Sequence, residues 1–323
     1  DPTGYGRLLR EDERLVRIVE EKDADAATKR IQEVNAGIYA VRMDFLRRGV
    51  AALSANNASG EFLLTDLVHT ASADADVPTV TAPFEEVAGV NDRVDLAAAE
   101  ARARRRACAR WMRAGVTLLA PESVVIEEDI EGIGVDTEIG SGVELRGNTW
   151  VGAGVRIDTG ARLTDCRVED GAHIKAYSVL DRTRVGPAAQ IGPFAHCRPG
   201  TSLGARVKVG NFVETKNARL GDGVKASHLS YLGDVEIGAN ANIGAGTITC
   251  NYDGVHKHVT VIEEGAFIGS DTQLVAPVTV GKNAYVGAGS TITRDVPAEA
   301  LAVSRPEQRH IKGYAARKKS KKP

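Results

Sequence analysis

Large rings are scarce in this chain. Aromatic residues make up 5% of its 323 positions, with two Trp among them, while glycine reaches 34. That balance suits thin, tightly turning coils that leave little room for bulky side chains. Cysteine is also sparse. Cys108, Cys166, Cys197 and Cys250 form no C-x-x-C pair and no spacing that suggests a disulfide framework, so they read as small buried hydrophobes in a reducing compartment. No charge sign dominates: the formal net charge is -2, which argues against nucleic acid or an anionic membrane as the main partner. No apolar run approaches the roughly 20 residues of a membrane span, and no signal peptide opens the chain, so a cytoplasmic location is expected. The chain also opens without Met, on Asp1-Pro2-Thr3-Gly4-Tyr5-Gly6, which has the look of an interior motif with an N-terminal portion missing.

What is present is a six-residue beat. Aliphatic residues recur at Ile139, Leu145, Val151, Ile157 and Leu163, then at Val179, Val185, Ile191, Cys197, Leu203 and Val209. The beat returns at Ile237, Ile243 and Thr249, and at Ile268, Leu274, Val280, Val286 and Ile292. A period of six fits neither a helix nor a simple strand, but it fits a parallel β-helix in which three hexapeptides make one triangular coil. The intervals Leu163–Val179, Val209–Ile237 and Thr249–Ile268 break the period, and insertions in a solenoid are expected to leave the stack as loops. The last two breaks enclose Lys216, His228, Tyr231, Asn251 and Tyr252, so chemistry is expected there.

Ahead of the beat, residues 1–92 read as mixed α/β. Strands are expected at 15–20, 33–41 and 77–82, and helices from Asp44 (a plausible N-cap) to Ala55 and from Glu61 towards Ala73. The Ala- and Arg-rich stretch 93–115 predicts a connecting helix, with Leu96, Ala99, Ala103, Ala107 and Met112 on its apolar face. Residues 116–296 are assigned to the β-helix, imperfect until about 136. Residues 297–323 form a tail whose Lys318, Lys319, Lys321 and Lys322 read as a solvated charge run.

Particular motifs now point to a family. Ala226-Ser227-His228-Leu229-Ser230-Tyr231-Leu232-Gly233-Asp234 and Asn242 through Gly254 resemble the active-site segments of the bifunctional N-acetylglucosamine-1-phosphate uridylyltransferase/glucosamine-1-phosphate N-acetyltransferase family. So do Arg198-Pro199-Gly200, Asn211 through Lys216, and Gly269-Ser270-Asp271-Thr272-Gln273. The opening heptapeptide, Ile18 through Asp23, Asn35-Ala36-Gly37 and Gly89 through Arg93 resemble the later half of that family's nucleotidyltransferase domain. The resemblance implies a partial α/β nucleotidyltransferase (Rossmann-like) domain, then an all-β left-handed parallel β-helix of hexapeptide repeats that associates as a homotrimer. It also implies acetyl transfer from acetyl-CoA to glucosamine-1-phosphate in UDP-N-acetylglucosamine synthesis. Gly6, Glu20, Asn35 and Asn91 would contact UDP-N-acetylglucosamine, and Asn91 would help hold Mg²⁺ for uridylyl transfer. The Gly-rich nucleotide-binding opening and the Asp that partners Asn91 at the metal are absent, so the chain as it stands is expected not to turn over UTP.

Acetyl transfer to an amine needs a base, donors for an oxyanion and cations for two phosphorylated substrates. By the resemblance His228 is the catalytic base, and an imidazole titrates in the range that suits this work. Glu214 is a candidate to support either the base or the amine. Arg198 and Lys216 are expected to bind the sugar phosphate, with Tyr231, Asn242, Asn251 and Tyr252 as hydrogen-bonding partners of the sugar and acetyl group. Ala245, Ser270, Ala288 and Arg305 are expected to line the acetyl-CoA groove. Gly244-Ala245-Gly246 and Gly287-Ala288-Gly289 keep phase with the beat, so corner turns explain them. His256 and His258 have a spacing that could suit a metal, but a loop pair without nearby Cys reads as solvent-facing. Other hexapeptide acyltransferases, a hexapeptide metalloenzyme of the carbonic-anhydrase type and a non-catalytic regulatory subunit are the competing classes.

Overall fold

Most hexapeptides supply a strand of two or three residues whose inward side chain, usually aliphatic, is sealed inside a triangular prism. In the computed structural model, which describes residues 1–319, two units divide the chain, Asp1–Glu100 and a second beginning at Ala101. The boundary falls within the helix Arg93–Arg113 rather than at either end of it. In the second unit the strands pair in parallel from coil to coil, the interior ones with the coil before and the coil after, the end ones on one side. One face of the prism is an eleven-stranded sheet; the other two form a seventeen-stranded sheet, joined where the long strands Glu214–Leu220 and Tyr231–Ile237 run on through a corner. The handedness is left-handed, as expected for hexapeptide repeats.

The beat is more continuous than aliphatic residues alone suggest. Ile157, Ile174 and Ile191 stack in register at a spacing of 17, one residue short of three hexapeptides. A corner can lose one residue without turning an inward side chain outward, so coils of 17 and 18 stack together. This corrects the phase at Val179, which is 39% exposed, while Leu180 at 1% is the inward residue. It also removes the expected break after Val209. Thr215, Leu220, Ala226 and Leu232 continue the inward column, two of them polar or small and therefore silent in an aliphatic count. Buried Thr215 is satisfied by Thr201 Oγ1 at 3.0 Å, and the Thr249 hydroxyl accepts from Gly233 N at 2.8 Å. Lys216, His228 and Tyr231 accordingly lie on strands, not in inserted loops. The one excursion in this stretch runs between the strands Ile248–Cys250 and Thr260–Ile262 and carries Asn251 and Tyr252.

Cys108, Cys166 and Cys197 are buried, and desolvation pushes the thiols of Cys166 and Cys197 up to about 12 and about 11. One corner presents Tyr177, Phe194, Phe212 and Leu229 in the left-handed conformation, with φ of 57°, 55°, 57° and 49°. The first three rings stack at 5.4 and 5.5 Å, and all four side chains are largely exposed.

The first unit holds the antiparallel pair Arg7–Glu11 and Arg14–Val19, against which the helix Asp66–Asp74 packs through Val68. The strand expected at 33–41 shrinks to a single bridge between Arg7 and Val34, and the one expected at 77–82 does not form. The pairing with the strand Arg7–Glu11 does not extend past Val34, no strand pairs with 77–82 among the described residues, and Val80 is 96% exposed. Arg42, not Asp44, occupies the N-cap position of the helix Met43–Ala52, without a side-chain capping hydrogen bond, and Asp44 lies in the first turn. In the connecting helix Leu96 and Met112 are exposed and Cys108 is the buried residue, so the apolar face is narrower than expected. Lys318 and Lys319 end a short helix, Tyr314–Lys319; Lys321 and Lys322 lie outside the described residues.

Candidate active site

His228 ends the strand Lys225–His228, in register with Asn211 on the preceding coil. Between those coils the backbones come close. A Cβ on Gly210 would sit 1.8 Å from Ser227 O, so only glycine allows this approach. The result is a contact of 2.8 Å between His228 Nδ1 and Asn211 Oδ1. The His228 carbonyl accepts from Ser230 Oγ at 2.9 Å, and the Asn211 carbonyl accepts from Leu229 N at 3.1 Å. The imidazole itself is exposed. Glu214 does not support it: its carboxylate pairs with Arg198 at 2.8 Å.

Around the corner, Tyr231 lies in register with Glu214, and Lys216 with Gly233. Lys257 beside Lys216 pushes that ammonium below its usual range, with burial and Arg198 adding and Asp234 opposing. Three cations therefore gather here, with Asp234 opposing them and Glu214 bound to Arg198. Buried Asp234 accepts from Asn217 Nδ2 at 2.8 Å on one oxygen and from Asn251 Nδ2 on the other. Lys257 was not singled out from the sequence. It sits in the excursion, bridged antiparallel to Tyr252, and only the fold carries it back to Lys216.

That excursion is stapled by Asp253. Its carboxylate accepts from Val255 N at 2.8 Å and His256 N at 2.6 Å and pairs with His258 Nε2 at 2.8 Å. These donors, led by the His256 amide, hold the Asp253 carboxyl down at about 2. His258 is thus part of a turn, and no group of three or more metal-ligating side chains occurs among the described residues. Exposed Tyr252 donates to Gly254 O at 2.6 Å.

The residues expected for acetyl-CoA fall on one corner in successive coils. Ala245 O accepts from Asp271 N at 2.7 Å, Ser270 O from Gly289 N at 2.8 Å, and Ala288 O from Arg305 Nη1 at 2.5 Å. The same corner passes through Leu229, whose carbonyl accepts from Gly246 N at 3.0 Å. Asn242 lies on the eleven-stranded face, opposite Lys225.

In the first unit, Gly6, Glu20, Asn35 and Asn91 line one pocket of about 360 Å³, with Tyr5 and Asp95. A Cβ on Gly6 would stand 2.9 Å from Ile18 and 3.2 Å from Glu20, which makes glycine the fitting residue there. Glu20 accepts from Thr65 at 2.9 Å, and Asn35 Oδ1 accepts from Gly37 N and Tyr39 OH at 3.0 and 2.8 Å. The Asn91 amide donates to Asp95 at 3.3 Å. One amide oxygen and one already engaged carboxylate do not make a magnesium site, so the described residues do not by themselves fit that ion.

A left-handed coil of hexapeptide repeats, with an exposed histidine and a cation cluster on its surface, has the architecture of a hexapeptide-repeat transferase. Residues 126–219 match the family model described as the GMPPB C-terminal domain, and 260–294 match the bacterial transferase hexapeptide (six repeats). The chain is 50% identical over 321 residues to the bifunctional protein GlmU of Trichlorobacter lovleyi, covering 98% of this chain and 70% of that one. It is 51% identical over 321 residues to the bifunctional protein GlmU of Alkalilimnicola ehrlichii, covering 97% and 68%. To that of Sorangium cellulosum it is 49% identical over 323 residues, covering 99% and 68%.

The chain belongs to the family of the bifunctional protein GlmU. Its reaction is that of a glucosamine-1-phosphate N-acetyltransferase in UDP-N-acetylglucosamine synthesis. No helix among the described residues is long and apolar enough to cross a membrane.

Proposed function

We propose that His228 is the general base of acetyl transfer and that the cations around Lys216 hold the sugar phosphate. The amine of glucosamine-1-phosphate attacks the thioester carbonyl carbon of acetyl-CoA, forming the C–N bond and a tetrahedral oxyanion. His228 Nε2 takes the amine proton; the C–S bond breaks, and the proton passes to the departing thiolate. Arg198, Lys216 and Lys257 supply positive charge for a dianion, and Tyr231, Asn242, Asn251 and Tyr252 supply hydrogen bonds to the sugar and the acetyl group. The observation that carries this reading is the like-charge cluster at Lys216, since three cations gathered on one face are complementary to a phosphate. The corner through Ala245, Ser270 and Ala288 presents backbone groups to the pantetheine chain, and Arg305 adds charge for CoA phosphates.

Gly6, Glu20, Asn35 and Asn91 form the sugar-nucleotide side of a uridylyltransferase site for UDP-N-acetylglucosamine. Mg²⁺ at that site needs ligands in addition to Asn91. The protein is a homotrimer. In its support, the exposed Tyr177–Phe194–Phe212–Leu229 edge ends beside His228 and costs roughly 1 kcal/mol per left-handed residue, a cost that burial against a second copy would offset.

The deciding experiment is His228→Ala, assayed by thiol release from acetyl-CoA with glucosamine-1-phosphate. Turnover should fall roughly 10²- to 10⁴-fold with the oligomeric mass by light scattering unchanged. Near-normal turnover at neutral pH would overturn the assignment.

A further inference from the structure

We infer that Asn211 is a positioning residue that fixes the tautomer of His228, keeping the proton on Nδ1 so that Nε2 carries the lone pair. This rests on the reading of His228 as the base. A neutral imidazole has one N–H, and only the bare nitrogen can take a proton. Asn211 Oδ1 is an acceptor, so the 2.8 Å contact requires Nδ1 to donate. Left without that partner, the ring distributes its proton over both nitrogens, and the fraction bearing Nε2–H cannot act as base.

The contact is built into the backbone. Asn211 and His228 are register partners on adjacent coils, and Gly210 lets those coils approach. Leu229 N and Ser230 Oγ tie down the carbonyls of Asn211 and His228 respectively. The charged groups on the strands concerned are Lys208, ahead of Asn211, and Lys225, on the strand of His228 itself; the next strand in that column offers neutral Asn242. A neutral amide thus orients the ring while placing no net charge beside it. A carboxylate in its place would orient it too, but would hold the ring protonated to higher pH.

The test uses the full chain in three variants, Asn211→Ala, Asn211→Asp and His228→Ala. The measurements are bisubstrate kinetics, pH profiles of kcat/KM, and the ¹⁵N shifts of His228 in histidine-labelled protein. Asn211→Ala should lower kcat roughly 10- to 100-fold with both KM values within about twofold, and its ¹⁵N shifts should move towards a tautomer mixture. Asn211→Asp, of nearly the same size, should keep the Nδ1–H signature and recover most of kcat at alkaline pH, with the acid limb displaced upwards by about one unit. Wild-type kcat and unchanged shifts in Asn211→Ala would overturn the proposal. So would an Asn211→Asp acid limb that stays in place. If Asn211→Ala does not fold, Asn211→Asp carries the test alone. Full turnover in His228→Ala would instead remove the base assignment, whereas an inactive His228→Ala beside a normal Asn211→Ala would remove only the role of Asn211.

Discussion

Asp234→Ala tests whether the sugar side of the site is held from beneath. Asp234 is 8% exposed and its two oxygens receive the side-chain amides of Asn217 and Asn251. Bonds to a charged acceptor contribute roughly 1.5–3 kcal/mol each. Losing both is offset in part, because the variant no longer desolvates a carboxylate. A net loss of about 2–4 kcal/mol follows, which in a unit of this size lowers Tm by roughly 5–15 °C. The function should change as well. Asn251 loses its anchor, and Lys216 loses an anion that favours its charged form, so KM for glucosamine-1-phosphate should rise several-fold while KM for acetyl-CoA stays within about twofold. Asp234→Asn should fall between, since its amide can accept from one neighbour only. Differential scanning calorimetry and bisubstrate kinetics provide the assay. An Asp234→Ala variant with wild-type Tm and wild-type KM for the sugar would refute the argument.

Three further outcomes are expected. Lys216→Ala should reduce kcat/KM roughly 10- to 100-fold when the sugar is varied and leave acetyl-CoA nearly unaffected, and Arg305→Ala should do the reverse; equal effects on both substrates would show that these residues serve the fold instead. The Asp253 turn should depend on pH with a definite sign. Its carboxyl is depressed from 3.8 to about 2, so its contribution is complete above about 4 and is lost as pH falls through 2, which amide exchange at residues 251–258 would reveal. Gly210→Ala should part the coils at Ser227 and lower kcat at least as much as Asn211→Ala, and a variant with normal turnover would show that the close approach is dispensable.

The β-helix was legible because burial repeats with the sequence, and every coil restates the pattern. Its phase was harder to read. Leu180 and Val179 are both aliphatic, and only the register with Leu163 and Cys197 decides between them. Inward Thr215 and Ala226 made an unbroken column look interrupted, because a hydrophobic count does not register a satisfied threonine or a small alanine. Motifs point to the candidate site residues; those of the second unit fall around one corner and the strands beside it, and those of the first unit line one pocket. Lys257 and Asn211 carry no individual signal in the sequence, because their partners, Lys216 and His228, are distant along the chain and meet them only through the fold. The first unit was least legible. Its segments at 33–41 and 77–82 have strand-like composition, but a strand exists only where another pairs with it.

The stacking order also sets an order of failure. A solenoid coil touches only the coil above and the coil below, so its stability is that of a one-dimensional chain that frays from an end. Moving inward from the C-terminal side, Arg305 is met first, then Ala288 and Ser270, and only later Asn242, His228 and Lys216. Fraying from that end would therefore strip Arg305, Ala288 and Ser270 from the acyl-donor side one rung at a time before it reached Lys257, Asn251 and the rest of the acceptor cluster. Mild denaturant should then abolish acetyl-CoA binding before it disturbs the sugar phosphate, which makes the loss of function a reading of how far the stack has come undone.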